Sequence, residues 1–503
     1  MTLLLKGSTL NQSKPNLLFI YTDEQAINTL AAYGNDQINM PNLNKLAKVS
    51  TVFSKAYVTQ PVCTPSRSTL LTGLYPHTNG CTKNNVPLKP DTPCLPEMLN
   101  KDEYITAHYG KWHLGDELYK QHGFDHWVSI EDNYNEFFSD GLDKNVTSSY
   151  HQFLIQNGFT PNNGDRFSRG EASRLPEKFG KPAFLAKESS IFIKEHQASP
   201  FVLYVNFLEP HMPFFGPRDN QYDPKDMPLP TNFDNKLDDS NPLKTNIFAA
   251  AYEEGGHSGL PLKSKEDWQK MISNYWGLNS LIDTHIGSIL DTLEECHLTD
   301  NTIIVFTSDH GDMMGSHKLL AKCVMFEEAV RVPLLIKMPG QTIGKRIENP
   351  VSQIDIVPTL LELMNQPIPP YIQGESLCKT INAEHQIDEN KNVYIEWNGS
   401  NSGIIGEGEG NFKIPSLWKN KITEKEVSSA VQDLVRTVIT PDGWKLNYSP
   451  LGEHELYNLS EDPGECINVF TVKENRSLIE KLIGEILCWQ KRVNDTTELP
   501  SLV

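Results

Sequence analysis

The sequence predicts an α/β fold: one large, mostly parallel mixed sheet flanked by helices, then a small C-terminal α+β unit with an antiparallel sheet. Three observations carry this. The runs Pro15–Glu24, ending in two carboxylates, Phe201–Leu208 and Asn301–Ser308 are apolar along most of their length, as strands buried on both faces must be. A segment opened by Ser264 and Asp267 places Trp268, Ile272, Tyr275, Ile282, Ile286, Ile289 and Leu293 at helical spacing, which suits a long helix covering that sheet. From about Ile381 the pattern changes to short strands at Val393–Trp397, Val435–Ile439 and Trp444–Tyr448. The last two are joined through Thr440-Pro441-Asp442-Gly443, a hairpin turn. Residues 1–380 are therefore expected to form the main domain and 381–503 the smaller one.

Composition narrows the function classes. A chain of 503 residues with 38% hydrophobic and 22% charged positions can bury a large core. No run of 18 apolar residues exists, which excludes a membrane-spanning helix. The net charge of −19 argues against a nucleic-acid partner, which needs a basic face. It also argues against gripping a long polyanion, and suits a small cationic pocket for one anionic group. The eight cysteines form no C-x-x-C pair, although Cys81 and Cys94 could pair across a loop. Met1–Pro15 has only a three-leucine apolar run, too short for a signal-peptide core. As written the chain is expected in the cytoplasm, or in the periplasm or outside the cell if a leader was removed.

In chain order, the first strand ends in Asp23 and Glu24, at the edge where open α/β sheets place ligands. A short helix at Pro41–Ala47 and a strand at Val52–Tyr57 lead to Cys63-Thr64-Pro65-Ser66-Arg67, a helix entrance running to a stop at Gly73. Cys63 is expected just outside that helix and Pro65 at its first position, with Arg67 adding a positive charge one turn in. Alone, this reads first as a buried free cysteine beside a short helix. A strand at Glu103–Tyr109 delivers Lys111, Trp112 and His113 on a glycine-flanked turn. The stretch 124–140, with Phe124, Trp127, Tyr134, Phe137 and Phe138, offers faces for stacking or for packing a loop down. Residues 140–190 are expected to be a long excursion over the site rim. The third strand delivers Glu209-Pro210-His211-Met212-Pro213, and 216–263 is expected to be loop. The fourth strand delivers Asp309 and His310, then His317 and Lys322. A strand at Arg331–Lys337, a helix at Gln353–Leu363 and a final helix carrying Leu478, Leu482, Ile486, Trp489 and Val493 complete the reading. Four strands from distant parts of the chain thus end in charged or imidazole groups, as an active site requires.

The stretch from Cys63 to Gly73, Cys-x-Pro-Ser-Arg followed by Leu-Thr-Gly, closely resembles the maturation motif of type I sulfatases, and the resemblance extends from Pro15 to about Val469. It implies an alkaline-phosphatase-like fold and a cysteine oxidised to formylglycine, with a maturation enzyme as partner. By resemblance, Asp23, Glu24, Asp309, His310 and residue 63 bind a divalent cation, Ca²⁺ before Mg²⁺. Glu24 departs from the family's usual Asp, and His310 stands where many relatives have Asn. Cys63, Arg67, Lys111, His113, His211 and Lys322 carry over as catalytic residues. Lys111, His211, Lys322 and His317 carry over as substrate contacts. The expected function is release of sulfate from a sulfated mono- or oligosaccharide, acting from a chain end, with algal galactans such as carrageenan as source. A phosphonate or phosphate ester hydrolase of the same superfamily is the alternative, disfavoured by the Lys111–His113 pair. A non-catalytic binder of sulfated glycans is the third reading, and it would need neither Cys63 nor His113.

Overall fold

The computed structural model describes residues 14–100, 102–382, 391–399 and 414–502. The main sheet has nine strands: β1 Asn16–Asp23, β2 Thr51–Tyr57, β3 Ile105–Gly110, β4 His126–Val128, β5 Phe201–Pro210, β6 Thr302–Ser308, β7 Arg331–Val332, β8 Leu334–Lys337 and β9 Lys345–Ser352. Their order is β4-β3-β5-β1-β6-β8-β2-β7, with β9 paired to β2. The neighbours β3, β5, β1 and β6 run parallel, so their C-terminal ends share one edge. Antiparallel pairing enters only beyond β6, at β8 and around β2.

Alternation along the central strands divides the core. Leu18 and Ile20 of β1, with Ile304 and Phe306 of β6, face the side covered by the Lys265–Glu295 helix. Leu17, Phe19 and Tyr21, with Ile303 and Val305, face the Cys63–Thr72 and Ile356–Leu363 helices. The Ser264 capping box forms as expected: Ser264 Oγ accepts from the Asp267 amide and Asp267 accepts from the Ser264 amide at 2.8 Å.

A second sheet, β10 Val393–Glu396, β11 Arg436–Ile439, β12 Trp444–Tyr448 and β13 Glu455–Asn458, is antiparallel throughout. One face packs Val438, Leu446 and Leu456 against Ile479, Leu482, Ile486 and Trp489 of the Arg476–Val493 helix. The other sends Val393, Ile395 and Ile439 into the main core. The stretch just past the expected boundary at 381, residues 383–390, and the N-terminal residues 1–13 lie outside the described residues. No described helix is long and apolar enough to cross a membrane.

The structure corrects several local readings. The strand expected over Arg331–Lys337 breaks at Pro333 into β7 and β8, because proline has no amide to donate to the ladder. The excursion at 140–190 contains the Ser149–Gln156 helix and the start of the Lys181–Glu195 helix, which buries Phe184, Leu185, Phe192 and Ile193 against the sheet. The 216–263 loop contains the Leu243–Gly255 helix. Cys63 is the first residue of its helix rather than just outside it, so Pro65 is the third, still within the turn whose amides lack intrahelical acceptors. Gly73 ends that helix as expected, at φ 66° with its amide on Thr69 O. All eight cysteines are free thiols, Cys81 and Cys94 included.

Candidate active site

The shared edge of β3, β5, β1 and β6 gathers the charged residues the sequence pointed to. Ligand atoms of Asp23, Cys63, Asp309 and His310 lie within 4.8 Å of one another, and all four residues are buried. Cys63 Sγ is 3.3 Å from His310 Nε2 and 3.7 Å from Asp23 Oδ1. His310 Nε2 is 3.7 Å from Asp23 Oδ1 and 3.6 Å from Asp309 Oδ1. The carboxylates divide their oxygens between two tasks. Each Oδ1 faces this cluster, while Asp23 Oδ2 accepts from Arg67 Nη2 and Lys111 Nζ at 2.8 and 2.6 Å, and Asp309 Oδ2 accepts from Arg67 Nε at 2.8 Å. His310 donates Nδ1–H to Gly311 O at 2.9 Å, which leaves the Nε2 lone pair for a ligand.

This donor set fits a divalent cation: two carboxylate oxygens, one imidazole nitrogen with its tautomer fixed, and residue 63. Glu24 stands beside the set rather than in it. At φ 68°, its Oε2 accepts from Lys322 Nζ at 2.8 Å and lies 3.5 Å from His211 Nε2. Its ligand atom groups with those of Asp23 and His211, not with Cys63, Asp309 and His310. Lys322 thus engages Oε2 only, while Oε1 is buried with no hydrogen-bond partner among the described residues, an oxygen that the ligation expected for Glu24 would use.

Electrostatics follow burial and partners. Burial works against ionised Asp23, yet Lys111, then His211 and Arg67, hold its carboxyl well below the usual range. Burial alone would pull Lys322 down, but Glu24 beside it raises it well above the ordinary lysine range. Burial, then the Asp23 carboxylate, pushes the Cys63 thiol up to about 12. The protein groups around it do not make it the ionised cysteine of a Cys–His pair. Burial, then Lys111 and Arg67, keeps His113 well below its usual value, and burial with Lys322 does the same to His211.

Lys111 and His113 reach the site through a tight turn. At Gly110, with φ 118°, a Cβ would meet Asn206 O at 2.0 Å, so only glycine lets β3 leave the sheet here. Glu117, buried, accepts from the amides of Trp112 and His113 at 2.8 and 2.6 Å; burial pushes its carboxyl up to about 7. Nothing in the sequence marks this residue. Glu117→Ala should cost about 1–3 kcal/mol for each amide left without an acceptor. Misplacing His113 in this way should also lower turnover by roughly 10²-fold. Glu117→Gln, which keeps an acceptor oxygen, should lose less of both. Denaturant melts and steady-state rates check this, and an alanine variant matching the parent in both would refute the role.

Tyr134, one of the aromatics that the sequence offered for stacking, stacks on the His113 ring at 4.3 Å. Arg169, from the excursion, lies over Tyr134 and donates to its hydroxyl at 2.6 Å and to Glu131 at 2.5 Å. Lys181 also donates to Glu131. The other aromatics of 124–140 pack the loop: Phe124 and Trp127 cluster with Trp112, and Phe138 with Tyr119. His317 is not among the clustered ligand groups. Its ring stacks on Phe326 at 4.2 Å and its nitrogens meet Asn235 and Gly464 O at 3.1 and 2.9 Å. These contacts tie its turn to the loops that carry Asn235 and Gly464.

The chain is similar to known proteins of one family. A sequence profile of the family described as Sulfatase matches residues 15–366. An ulvan-active sulfatase of Formosa agariphila is 31% identical over 73% of this chain and 65% of its own length. An N-acetylglucosamine-6-O-sulfatase of Bacteroides thetaiotaomicron is 26% identical over 96% of this chain and 87% of its own. Among solved structures, the phosphonate monoester hydrolase of Silicibacter pomeroyi superposes with a TM-score of 0.75 at 22% identity, covering 96% of each chain. At that identity the likeness is one of fold.

Proposed function

The chain belongs to the sulfatase family and is a sulfuric ester hydrolase; we propose that it desulfates a sulfated carbohydrate from a chain end, with Cys63 matured to formylglycine as nucleophile. The observation that carries this is the gathering of Asp23, Cys63, Asp309 and His310 beside the buried cations Arg67, Lys111 and Lys322. Sulfuryl transfer builds negative charge on the non-bridging oxygens and the leaving oxygen, and fixed positive groups in a buried site favour that charge.

Asp23, Asp309, His310 and residue 63 would hold the divalent cation. Oxygen donors favour Ca²⁺ before Mg²⁺, and the imidazole is the softer member of the set. When bound, the cation would neutralise charge on the sulfuryl oxygens, and formylglycine at position 63 would supply the attacking oxygen.

The chain's own side chains do the rest. Arg67 and Lys111 hold Asp23 ionised. Lys322 keeps its proton against burial and, with His211 alongside, is placed to protonate the leaving alcohol. His113, neutral, takes the proton from the group at residue 63 that expels sulfate. Such proton transfers are worth about 10²–10⁴-fold each. Tyr134 over His113, with Arg169 over Tyr134, supports a walled pocket rather than an open groove. The relatives named for ulvan and for N-acetylglucosamine-6-O-sulfate support a sugar substrate.

The test is sulfate release from a panel of sulfated sugars, carrageenan and ulvan oligosaccharides and glucosamine 6-sulfate among them, beside a phosphonate monoester. Sulfate should leave the terminal residue of a defined oligosaccharide. Chelation should abolish turnover, and Ca²⁺ should restore it. Preferred phosphonate turnover, or uniform desulfation along intact polymer, would overturn the reading.

A further inference from the structure

We propose that Asn85 is a positioning residue that fixes the tautomer of His113, holding Nε2 protonated so that Nδ1 is the nitrogen able to accept a proton. A neutral imidazole has one donor nitrogen and one acceptor, and its environment decides which is which. In this structure Nε2 lies 2.9 Å from Asn85 Oδ1. An amide oxygen can only accept, so Nε2 carries the hydrogen. Nδ1 is buried and has no hydrogen-bond partner among the described residues. It is therefore the lone pair left for chemistry.

Three further contacts give this geometry its rigidity. The His113 ring plane is held by Tyr134, stacked at 4.3 Å and 27°. Asn85 is held in turn: its backbone N–H donates to Thr64 Oγ1 at 3.3 Å, and Thr64 Oγ1 donates to His113 O at 2.7 Å. Thr64 directly follows Cys63, so the residue that sets the histidine is tied to the helix bearing the nucleophile position. Asn85 sits at φ 64°, a left-handed conformation that asparagine tolerates better than most residues.

The catalytic meaning rests on the proposed role of His113 as a base, whereas the tautomer itself does not. Two readouts keep them apart. The first uses the full unmatured chain with isotope-labelled histidine ring nitrogens, the His113 signals being identified by their loss in His113→Gln. The parent should show the Nε2–H tautomer. Asn85→Leu should lose that fixed preference and Asn85→Asp should restore it. The second uses matured protein: Asn85→Leu should lower kcat by about 10–100-fold with KM nearly unchanged, and Asn85→Asp should recover most of the loss.

An Nδ1–H tautomer in the parent, or an unchanged His113 signal in Asn85→Leu, would overturn the proposal. Should the leucine variant fail to fold, the parent spectrum and Asn85→Asp still decide it. If the parent released no sulfate from any sugar, the functional reading would fall while the tautomer measurement stood.

Discussion

Cys63→Ala should abolish turnover, by about 10⁴-fold or more, as loss of a nucleophile does when the remaining binding groups stay in place. Sγ lies within 3.7 Å of Asp23 and His310, and Cys63 is the one thiol among the four clustered residues. The substitution removes one buried atom from a helix start and should cost roughly 1 kcal/mol of stability. Circular dichroism and the denaturation midpoint should therefore match the parent closely. Intact-mass analysis of active parent protein should show residue 63 lighter than cysteine, as the aldehyde requires. Cys63→Ser should be inactive wherever the maturation system oxidises only cysteine. Sulfatase activity in Cys63→Ala above a trace would remove residue 63 from the mechanism.

What was legible in the sequence follows from how each feature is held in place. β1, β5 and β6 are buried on both faces, so their apolar runs are uninterrupted and announce themselves. A side chain that ends such a strand has its position dictated by the strand, which is why Asp23, His211, Asp309 and His310 fell where expected. The Lys181–Glu195 helix was hidden because its buried Phe184, Leu185, Phe192 and Ile193 are separated by Lys187 and Glu188 and follow a long polar stretch. Glu117, Arg169 and Asn85 act through contacts made when separate loops close on one turn, and no local pattern encodes such closure; Tyr134 was visible as an aromatic, but not its place on His113. His317 shows the converse. It lies near Lys322 in sequence, but its backbone at φ 53° belongs to a turn whose ring is taken by Asn235, Gly464 and Phe326.

Glu24 is a subtler case. Its place beside Asp23 was legible, and the lysine that engages one of its oxygens was not. One methylene beyond aspartate gives the carboxylate reach, and in this structure that reach ends at Lys322 and near His211. Lys322 lies far along the chain from Glu24, so the residue following Asp23 could not reveal that its carboxylate would hold the lysine.

The largest structural effect should come from Arg67. Its guanidinium is fully buried and every nitrogen is used: Nε on Asp309, Nη2 on Asp23 and Nη1 on Lys111 O, each at 2.8 Å. It also lies over the Tyr21 ring, 5.0 Å from its centroid. One planar fork thus sets two carboxylates that come from β1 and from the end of β6, and the backbone of the turn that carries Lys111 and His113. Arg67→Leu would leave Asp23 with only Lys111 and Asp309 without its ionic partner. Breaking a buried pair in this way costs about 3–5 kcal/mol, because an uncompensated charge remains in a site closed to water. Arg67→Lys should fail almost as badly in function, since a single ammonium cannot reach three acceptors in one plane. The expected results are a lowered denaturation midpoint for the leucine variant and loss of the divalent ion and of turnover in both. Metal content by elemental analysis and melts with and without added Ca²⁺ measure this. If Arg67→Leu kept the parent's stability and its ion, the two aspartates would be held by the fold alone, and the guanidinium would have no organising part in the site.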